Sequence, residues 1–310
     1  MQSGTSTTDS APASQFSDVA AVLERIRRTR TEVLDAYETH GFAIVKNVFS
    51  LDEVLAMRKT CAELHERTQG KHGEIASYPE LRRILLDDRI VAIGRAVFGD
   101  LLTYFGDSTF YANSRFDRHL HSDARGDVDD PSRSSFPILR MGVYLQDHAH
   151  FSNGLKVRPG SHKSAFWTAR NALRLFGVGG SRLSLRAFRP RWFYNVPSEP
   201  GDVIFWNLRM HHAAHAIRLR GTDLALPPQV EEVLPARFAR PMTKDRYAIF
   251  MSWGAESRQL DAYIRQLAYH PGYIPTIKMS TFGDAASRED FERKGVRLTT
   301  DMLKLAQLAG

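Results

Sequence analysis

His121 and Asp123, in the segment RFDRHLHSDARGD, have the types and spacing of a pair of metal ligands. They follow a strand-like run, STFYANSRF, and residues i and i+2 of an extended segment point to the same side. An imidazole and a carboxylate that project side by side can bind one divalent metal ion. The alternative is a surface salt bridge, the commoner explanation of an isolated His-x-Asp in a chain with 12 histidines.

A second group of histidines lies further along the chain, in GDVIFWNLRMHHAAHA. Gly201-Asp202 is predicted as a tight turn before an apolar strand at 203–206. The histidines after this strand are His211, His212 and His215. If one of these histidines lies in a barrel interior beside His121 and Asp123, the three residues form a set of two histidines and one carboxylate. Such a set binds iron and leaves coordination positions open for oxygen chemistry. A solvated or core-bound patch of histidines is the alternative.

Arg246 stands at the head of a strongly apolar run, RYAIFMSWG. If this run is an internal strand, the guanidinium is poorly solvated and needs an anionic partner that accepts two hydrogen bonds. The simpler alternative is an arginine at a strand end that pairs with Asp245 or another carboxylate.

The first hundred residues have mostly helical patterns. Apolar residues recur at helical spacing over 16–40 and 79–97, and another helix begins after Ser50, where Glu53 completes a capping box. The run FAIVKNVF (42–49) has the composition of a short buried strand.

From about residue 101 to 255 the pattern changes to short β-like runs separated by Gly, Pro, Asn and Asp. These runs are LLTYF, STFYAN, ILRMGVYLQ, GLKVRPG, RWFYNV, GDVIFWNL and RYAIFMSWG. Strands at this spacing, without helices between them, predict an antiparallel sandwich or barrel and not a parallel α/β sheet. Helical patterns return after 255. We therefore predict an all-β core, a barrel or jelly roll, with flanking helices.

We predict one domain over residues 17–310, with a disordered tail at 1–16 and a helical extension at 256–310. The tail lacks the apolar stretch of a signal peptide, and no run reaches 18 apolar residues. Cys61, the single cysteine, has no partner for an intramolecular disulfide. These features predict a cytoplasmic protein without a membrane span.

Positive charge is concentrated in one stretch of the chain. The formal net charge is +7, and residues 148–198 contain no Asp or Glu. The cations there are Lys156, Arg158, Lys163, Arg170, Arg174, Arg182, Arg186, Arg189 and Arg191. Such a local field predicts an anionic partner, and the lack of a recognition-helix or RNP-like pattern argues against nucleic acid. The alternative is that these cations cover a helix face with their aliphatic stems.

The segment SNGLKVRPGSHK (152–163) resembles the Asn-Gly-x-Leu-x-x-x-Pro-Gly-Ser-His loop of the phytanoyl-CoA dioxygenase family. Members of this family are Fe(II)- and 2-oxoglutarate-dependent oxygenases with a double-stranded β-helix, a jelly-roll fold. In the family the loop follows a His-x-Asp strand and precedes a Gly-Asp strand that carries the distal histidine; an arginine then opens the next strand. These four blocks occur here in the same order, and HGFAIVKNVFSLDEV (40–54) is similar to the family's N-terminal strand and helix. The resemblance covers about residues 35–255.

The resemblance implies a set of iron ligands. The positions that match the family's ligands are His121, Asp123 and His212. His211 has the next-best register for the distal histidine, and His215 is third.

The resemblance also implies that Arg246 holds the distal carboxylate of 2-oxoglutarate. The family places this arginine about eleven residues after the distal histidine, whereas 33 residues intervene here, so we interpret 218–242 as an inserted loop. Without that insertion, Arg218 or Arg220 would be the cofactor arginine.

The implied activity is that of a hydroxylase. It would oxidise an aliphatic C–H of a small anionic molecule (a carboxylate, phosphate, CoA thioester or acidic sugar), using Fe(II), 2-oxoglutarate and O2 and releasing succinate and CO2. Asp123 fills a position that halogenating relatives leave open, which favours hydroxylation, desaturation, cyclisation or epimerisation. Candidate substrate-binding residues in the basic stretch are Trp167, Arg170 and Arg186. The alternatives are a metal-dependent hydrolase with the same ligands and an inactive small-molecule-binding barrel.

Overall fold

The protein is described here by a computed structural model that covers residues 18–112, 120–124, 136–163, 193–243 and 245–308. The tail predicted to be disordered lies outside these residues. Within the described ranges, no helix combines the length and apolarity that crossing a membrane requires.

Helices dominate the first hundred residues, as the sequence pattern predicts. They are α1 (Val19–Arg28), α2 (Arg30–His40), α3 (Leu51–Arg67), α4 (Pro79–Leu85) and α5 (Asp88–Phe98). The capping box of Ser50 and Glu53 at the start of α3 is confirmed. Two of the predicted helices are each divided in two. Thr29 separates α1 from α2, and the Asp87 side chain caps α5 by accepting a hydrogen bond from the Arg89 amide.

The remaining helices lie in the second half of the chain. They are α6 (Pro228–Glu231), α7 (Arg258–Ala268), α8 (Ile274–Lys278), α9 (Ala285–Arg293) and α10 (Asp301–Leu308). The helical prediction beyond residue 255 is therefore confirmed for α7 to α10. A short strand and Gly295, which has a positive φ of 59°, interrupt it between α9 and α10.

The strands form two sheets. They are β1 (Phe42–Val45), β2 (Leu102–Ala112), β3 (Ile138–Tyr144), β4 (Gly154–Val157), β5 (Tyr194–Asn195), β6 (Val203–Asn207), β7 (His212–Ala216), β8 (Tyr247–Ala255) and β9 (Arg297–Leu298). The larger sheet has the order β1-β6-β3-β8-β2-β9 and the smaller one β5-β4-β7. Among the described strands, every pair is antiparallel except the short pair of β2 and β9. The predicted β core with flanking helices is therefore present.

Side chains of the larger sheet alternate between two apolar clusters. On β6, Val203 and Phe205 belong to a cluster that includes residues of the helices. Ile204 and Trp206 belong to a second cluster, which they share with Leu155 of the smaller sheet. The alternation arises because successive side chains of a strand point to opposite faces. The face shared with the smaller sheet carries the candidate site.

Candidate metal centre

The structure brings His212 together with His121 and Asp123, although His212 is 89 residues further along the chain than Asp123. Backbone hydrogen bonds of 2.9 and 2.8 Å join His121 to His212 in both directions, and the two ring centroids are 4.4 Å apart. Asp123 is tied to the same region because its amide donates to the Leu208 carbonyl at 3.1 Å. One ligand atom from each of the three residues lies within 4.8 Å of the others.

The Asp123 carboxylate lies between the two imidazoles. Oδ1 is 3.5 Å from His121 Nε2, and Oδ2 is 3.7 Å from His212 Nε2. Burial favours the neutral acid, but the positive charge of Arg140, with smaller contributions from the two histidines, outweighs it and holds the pKa of Asp123 well below its usual value. Among the described residues, Oδ2 is buried and receives no hydrogen bond. An ionised carboxylate with one oxygen facing each imidazole fits a bound cation.

His212, the first residue of β7, is held in the form that binds metals. Its Nδ1 lies 3.1 Å from the Met210 carbonyl, a contact that places the ring proton on Nδ1 and directs the Nε2 lone pair at the cluster. Burial lowers the pKa of His212 to about 4, and Asp123 only partly offsets this effect. The imidazole is therefore neutral at physiological pH.

The other two histidines of the motif do not complete the cluster. His211 is outside the group of three, and its amide donates to Ser161 Oγ at 2.8 Å. The side chain of His215 lies outside the described part of the structure.

A cavity of about 210 Å³ adjoins the cluster. Its lining residues are Tyr111, His121, Asp123, Arg140, Tyr144, Leu155, Trp206, His212, Ala214, Arg246 and Phe250. Arg246 directly precedes β8, is only 4% exposed and hydrogen-bonds to Tyr144. Burial lowers the pKa of Arg246, while Tyr144 and Tyr111 raise it. Because a guanidinium keeps its proton at neutral pH, a buried cation and the histidine–carboxylate cluster share one cavity.

The neighbours of the candidate cofactor arginines differ. Asp245, the simpler partner considered for Arg246, instead forms an ion pair with Arg58 at 3.3 Å. Arg218 donates to a backbone carbonyl and pairs with Asp223, and Arg220 donates to another backbone carbonyl. Arg246 lines the cavity, whereas Arg218 and Arg220 do not.

Most of the basic stretch lies outside the described residues, including Trp167, Arg170 and Arg186. Its first cation, Lys156, is fully buried and forms an ion pair with Glu231 of α6. Lys156 therefore does not add to a local positive field, because a carboxylate from outside the stretch neutralises it.

The sequence pattern does not predict several of the cavity residues. The pattern is that of ordinary strand aromatics for Tyr111, Tyr144, Trp206 and Phe250, and it does not single out Arg140. A signal was nevertheless present. Arg140 is the one charged residue in the apolar run ILRMGVY, and a charged side chain in a buried strand needs a partner.

No protein-family model matches the chain, and a search of curated proteins finds no match either. Solved structures similar to it include HygX from Streptomyces hygroscopicus with nickel and 2-oxoglutarate bound, at 20% identity over 72% of this chain and 86% of that chain, with a TM-score of 0.49. SnoK, a non-heme alpha-ketoglutarate-dependent carbocyclase from nogalamycin biosynthesis, is 20% identical over 72% and 83% of the two chains, with a TM-score of 0.46. EctD from S. alaskensis with 2-oxoglutarate and 5-hydroxyectoine is 18% identical over 81% and 79%, with a TM-score of 0.47. At such similarity, function has to be argued from the site itself.

Proposed function

We propose that the protein is an Fe(II)- and 2-oxoglutarate-dependent oxygenase with a double-stranded β-helix core. His121, Asp123 and His212 bind the iron, and Arg246 binds the distal carboxylate of 2-oxoglutarate. The observation that carries the proposal is that a two-histidine, one-carboxylate cluster and a buried arginine line the same cavity. This ligand set favours non-haem Fe(II) and leaves coordination positions for a chelating co-substrate and O2.

Each residue of the proposed site supplies a different property. His212 presents a neutral Nε2, and Asp123 supplies the negative charge that a divalent ion needs. Arg246 offers a planar fork that matches a carboxylate in two hydrogen bonds, and its hydrogen bond to Tyr144 restrains the guanidinium. Apolar walls that include Trp206 exclude water, which strengthens these electrostatic contacts.

Bound iron, with 2-oxoglutarate and O2, supplies the oxidising power for attack on an aliphatic C–H. In a hydroxylation, one oxygen atom of O2 enters the substrate, and 2-oxoglutarate leaves as succinate and CO2. We propose hydroxylation or a related desaturation, cyclisation or epimerisation, since Asp123 occupies the position that a halide would need. A small substrate fits a cavity of about 210 Å³, and its anionic character stays a prediction from the basic stretch at 148–198.

An anaerobic titration tests the proposal. Metal-free protein receives Fe(II) and then 2-oxoglutarate, and the visible charge-transfer band of a chelated 2-oxo acid is recorded. We expect a band in the parent protein and none in Asp123→Ala. In Arg246→Met, 2-oxoglutarate should bind at least about a hundredfold more weakly, since losing the partner of a buried charge pair costs about 3 kcal/mol or more. Arg220→Met is the matched control and should behave like the parent, because Arg220 is exposed and outside the cavity.

Other outcomes would contradict the proposal in distinct ways. Tight Zn(II) binding without a band would favour the hydrolase. No metal binding at all would leave a barrel that only binds small molecules. A band lost in Arg220→Met and kept in Arg246→Met would move the 2-oxoglutarate site to the alternative arginine.

A further inference from the structure

A chain of buried polar side chains leads from Asp123 away from the cavity. Arg140 Nε lies 3.6 Å from Asp123 Oδ2, and Arg140 Nη2 donates to Asp107 Oδ2 at 2.5 Å. Arg140 Nε also donates to Ser252 Oγ at 3.2 Å, and Ser252 Oγ donates to Asp107 Oδ2 at 2.9 Å. The hydroxyl of Tyr263, on α7, donates to the same Asp107 oxygen at 3.0 Å. The guanidinium therefore stands between two carboxylates.

The strand register fixes where this guanidinium can be. Arg140 is on β3, between β6 and β8, and pairs with Trp206 on one side and with Ser252 on the other. Its side chain is 12% exposed and that of Asp107 is 4% exposed. A buried arginine in this position is held by the charges on either side of it, since a buried charge without compensation is costly.

Helix α7 contacts the same region a second time. Gln266 Nε2 lies 3.5 Å from the backbone carbonyl of Asp123, and Tyr263, one turn earlier, holds Asp107. Thus α7, in the helical extension predicted at 256–310, contacts the Asp123 backbone directly and the Asp123 carboxylate indirectly, through Asp107 and Arg140.

We propose that Arg140 is a positioning residue for Asp123, and that Asp107 and α7 hold Arg140 in place. The inference rests on the proposed function in one respect only, that Asp123 is a metal ligand. The guanidinium limits rotation of the carboxylate and offsets the cost of burying it. Partners of this kind, which hold a metal ligand without touching the metal, affect metal affinity tenfold to a hundredfold.

Co(II) alone is the probe, because its visible bands report ligand geometry without 2-oxoglutarate or O2. In Arg140→Gln we expect the dissociation constant for Co(II) to rise about tenfold to a hundredfold and the visible bands to shift. Arg140→Lys, which keeps the charge, should recover part of the affinity. Tyr263→Phe, which loses one hydroxyl, should show a smaller change in the same direction.

Two buried residues away from the site provide matched controls. Arg82 is 5% exposed and pairs with Asp290 at 2.7 Å, and Tyr37 is a buried tyrosine whose hydroxyl accepts from Asn207. Arg82→Gln and Tyr37→Phe should lower stability without changing the Co(II) bands. If the role of Arg140 were merely structural, Arg140→Gln and Tyr263→Phe would leave the bands unchanged as well.

The outcomes distinguish failure of the proposed metal site from failure of the positioning role of Arg140. Failure of the parent protein to bind Co(II) would overturn the metal site, and the positioning role with it. If the parent protein binds Co(II), and Arg140→Gln folds and has the same Co(II) affinity and visible bands as the parent, the positioning role alone is overturned. If Arg140→Gln does not fold, Tyr263→Phe decides, because it removes a single hydrogen bond to Asp107; bands and affinity equal to those of the parent would then refute the proposal.

Discussion

The ion pair of Lys156 and Glu231 joins the smaller sheet to the segment at 218–242. Lys156 is on β4 with a fully buried side chain, and Glu231 ends α6 with a side chain only 2% exposed. Lys156 also donates to the Leu226 carbonyl, and Glu231 also accepts from the Ile217 amide at 3.2 Å. Both charges are therefore removed from water and depend on each other.

The cost of breaking this pair follows from its burial. Lys156→Met or Glu231→Leu alone leaves one charge buried and uncompensated, which lowers the free energy of unfolding by about 3–5 kcal/mol. This is a large part of the about 5–15 kcal/mol that stabilises a typical domain. The double variant removes both charges. It should lose less stability than the two single variants together, because only the hydrogen bonds to the Leu226 carbonyl and from the Ile217 amide are missing, at about 1–3 kcal/mol each.

Urea denaturation of the parent, the two single variants and the double variant measures the coupling. The exposed pair of Lys59 and Glu63 on α3, 3.8 Å apart, is the control, and breaking it should cost about 0.5 kcal/mol or less. Two results would refute the buried pair and its anchoring of 218–242. In one, each single variant lowers the free energy of unfolding by less than about 1 kcal/mol; in the other, the two losses simply add in the double variant.

Three further predictions concern backbone strain, pH and the loop at 152–163. Gly201→Ala should lower the free energy of unfolding by at least about 2 kcal/mol, because the φ of Gly201 is +94° and a Cβ would lie 2.1 Å from a backbone oxygen. The control is Gly221→Ala, where φ is +70° and a Cβ would meet open space; the free energy of unfolding should fall by only about 1 kcal/mol in the same urea assay. Burial, more than nearby charge, lowers the pKa of His148 to about 3, so the unfolded chain takes up a proton there that the folded chain does not. His148 alone should therefore lower the free energy of unfolding by up to about 1.4 kcal/mol per pH unit between about pH 6.5 and pH 3, and the pH dependence should be less steep by that amount in His148→Asn. Ser161→Ala removes the acceptor for the His211 amide, so the free energy of unfolding should fall by about 1–2 kcal/mol and Co(II) should bind more weakly. An unchanged Co(II) affinity would show that the loop at 152–163 does not position the distal histidine, His212.

Local signals predicted the parts of the fold that depend on neighbouring residues. The capping box at Ser50 acts over three residues, and Gly41 at φ 86° ends α2 as the pattern indicates. In contrast, LLTYF and STFYAN form the single strand β2, because the irregular register between Tyr104 and Ser108 absorbs the intervening residues, including Gly106.

Tertiary contacts decided what the sequence pattern missed. The run HAAHA is poor in β-forming residues, yet it forms β7 because β4 pairs with it on one side, where Val157 lies opposite His212, and His121 bridges to it on the other. Likewise, His121 and Asp123 could be recognised as a pair from their spacing. The contact between Arg140 and Asp107 could not, since it requires the register of β3, β8 and β2.

The same reasoning bears on the choice of Arg246 over an arginine nearer to His212 in the chain. Ala248 pairs with both Tyr111 and Tyr144, so the start of β8 lies beside the two tyrosines that line the cavity whatever the length of the preceding segment. Lengthening a surface loop costs little, about 0.6 kcal/mol for each doubling. The buried pair formed by Glu231 offsets part of that cost by tying the segment to β4. Strand register therefore constrains the position of the cofactor arginine strongly, whereas spacing along the chain constrains it only weakly. For this reason an insertion at 218–242 is compatible with a site built around Arg246.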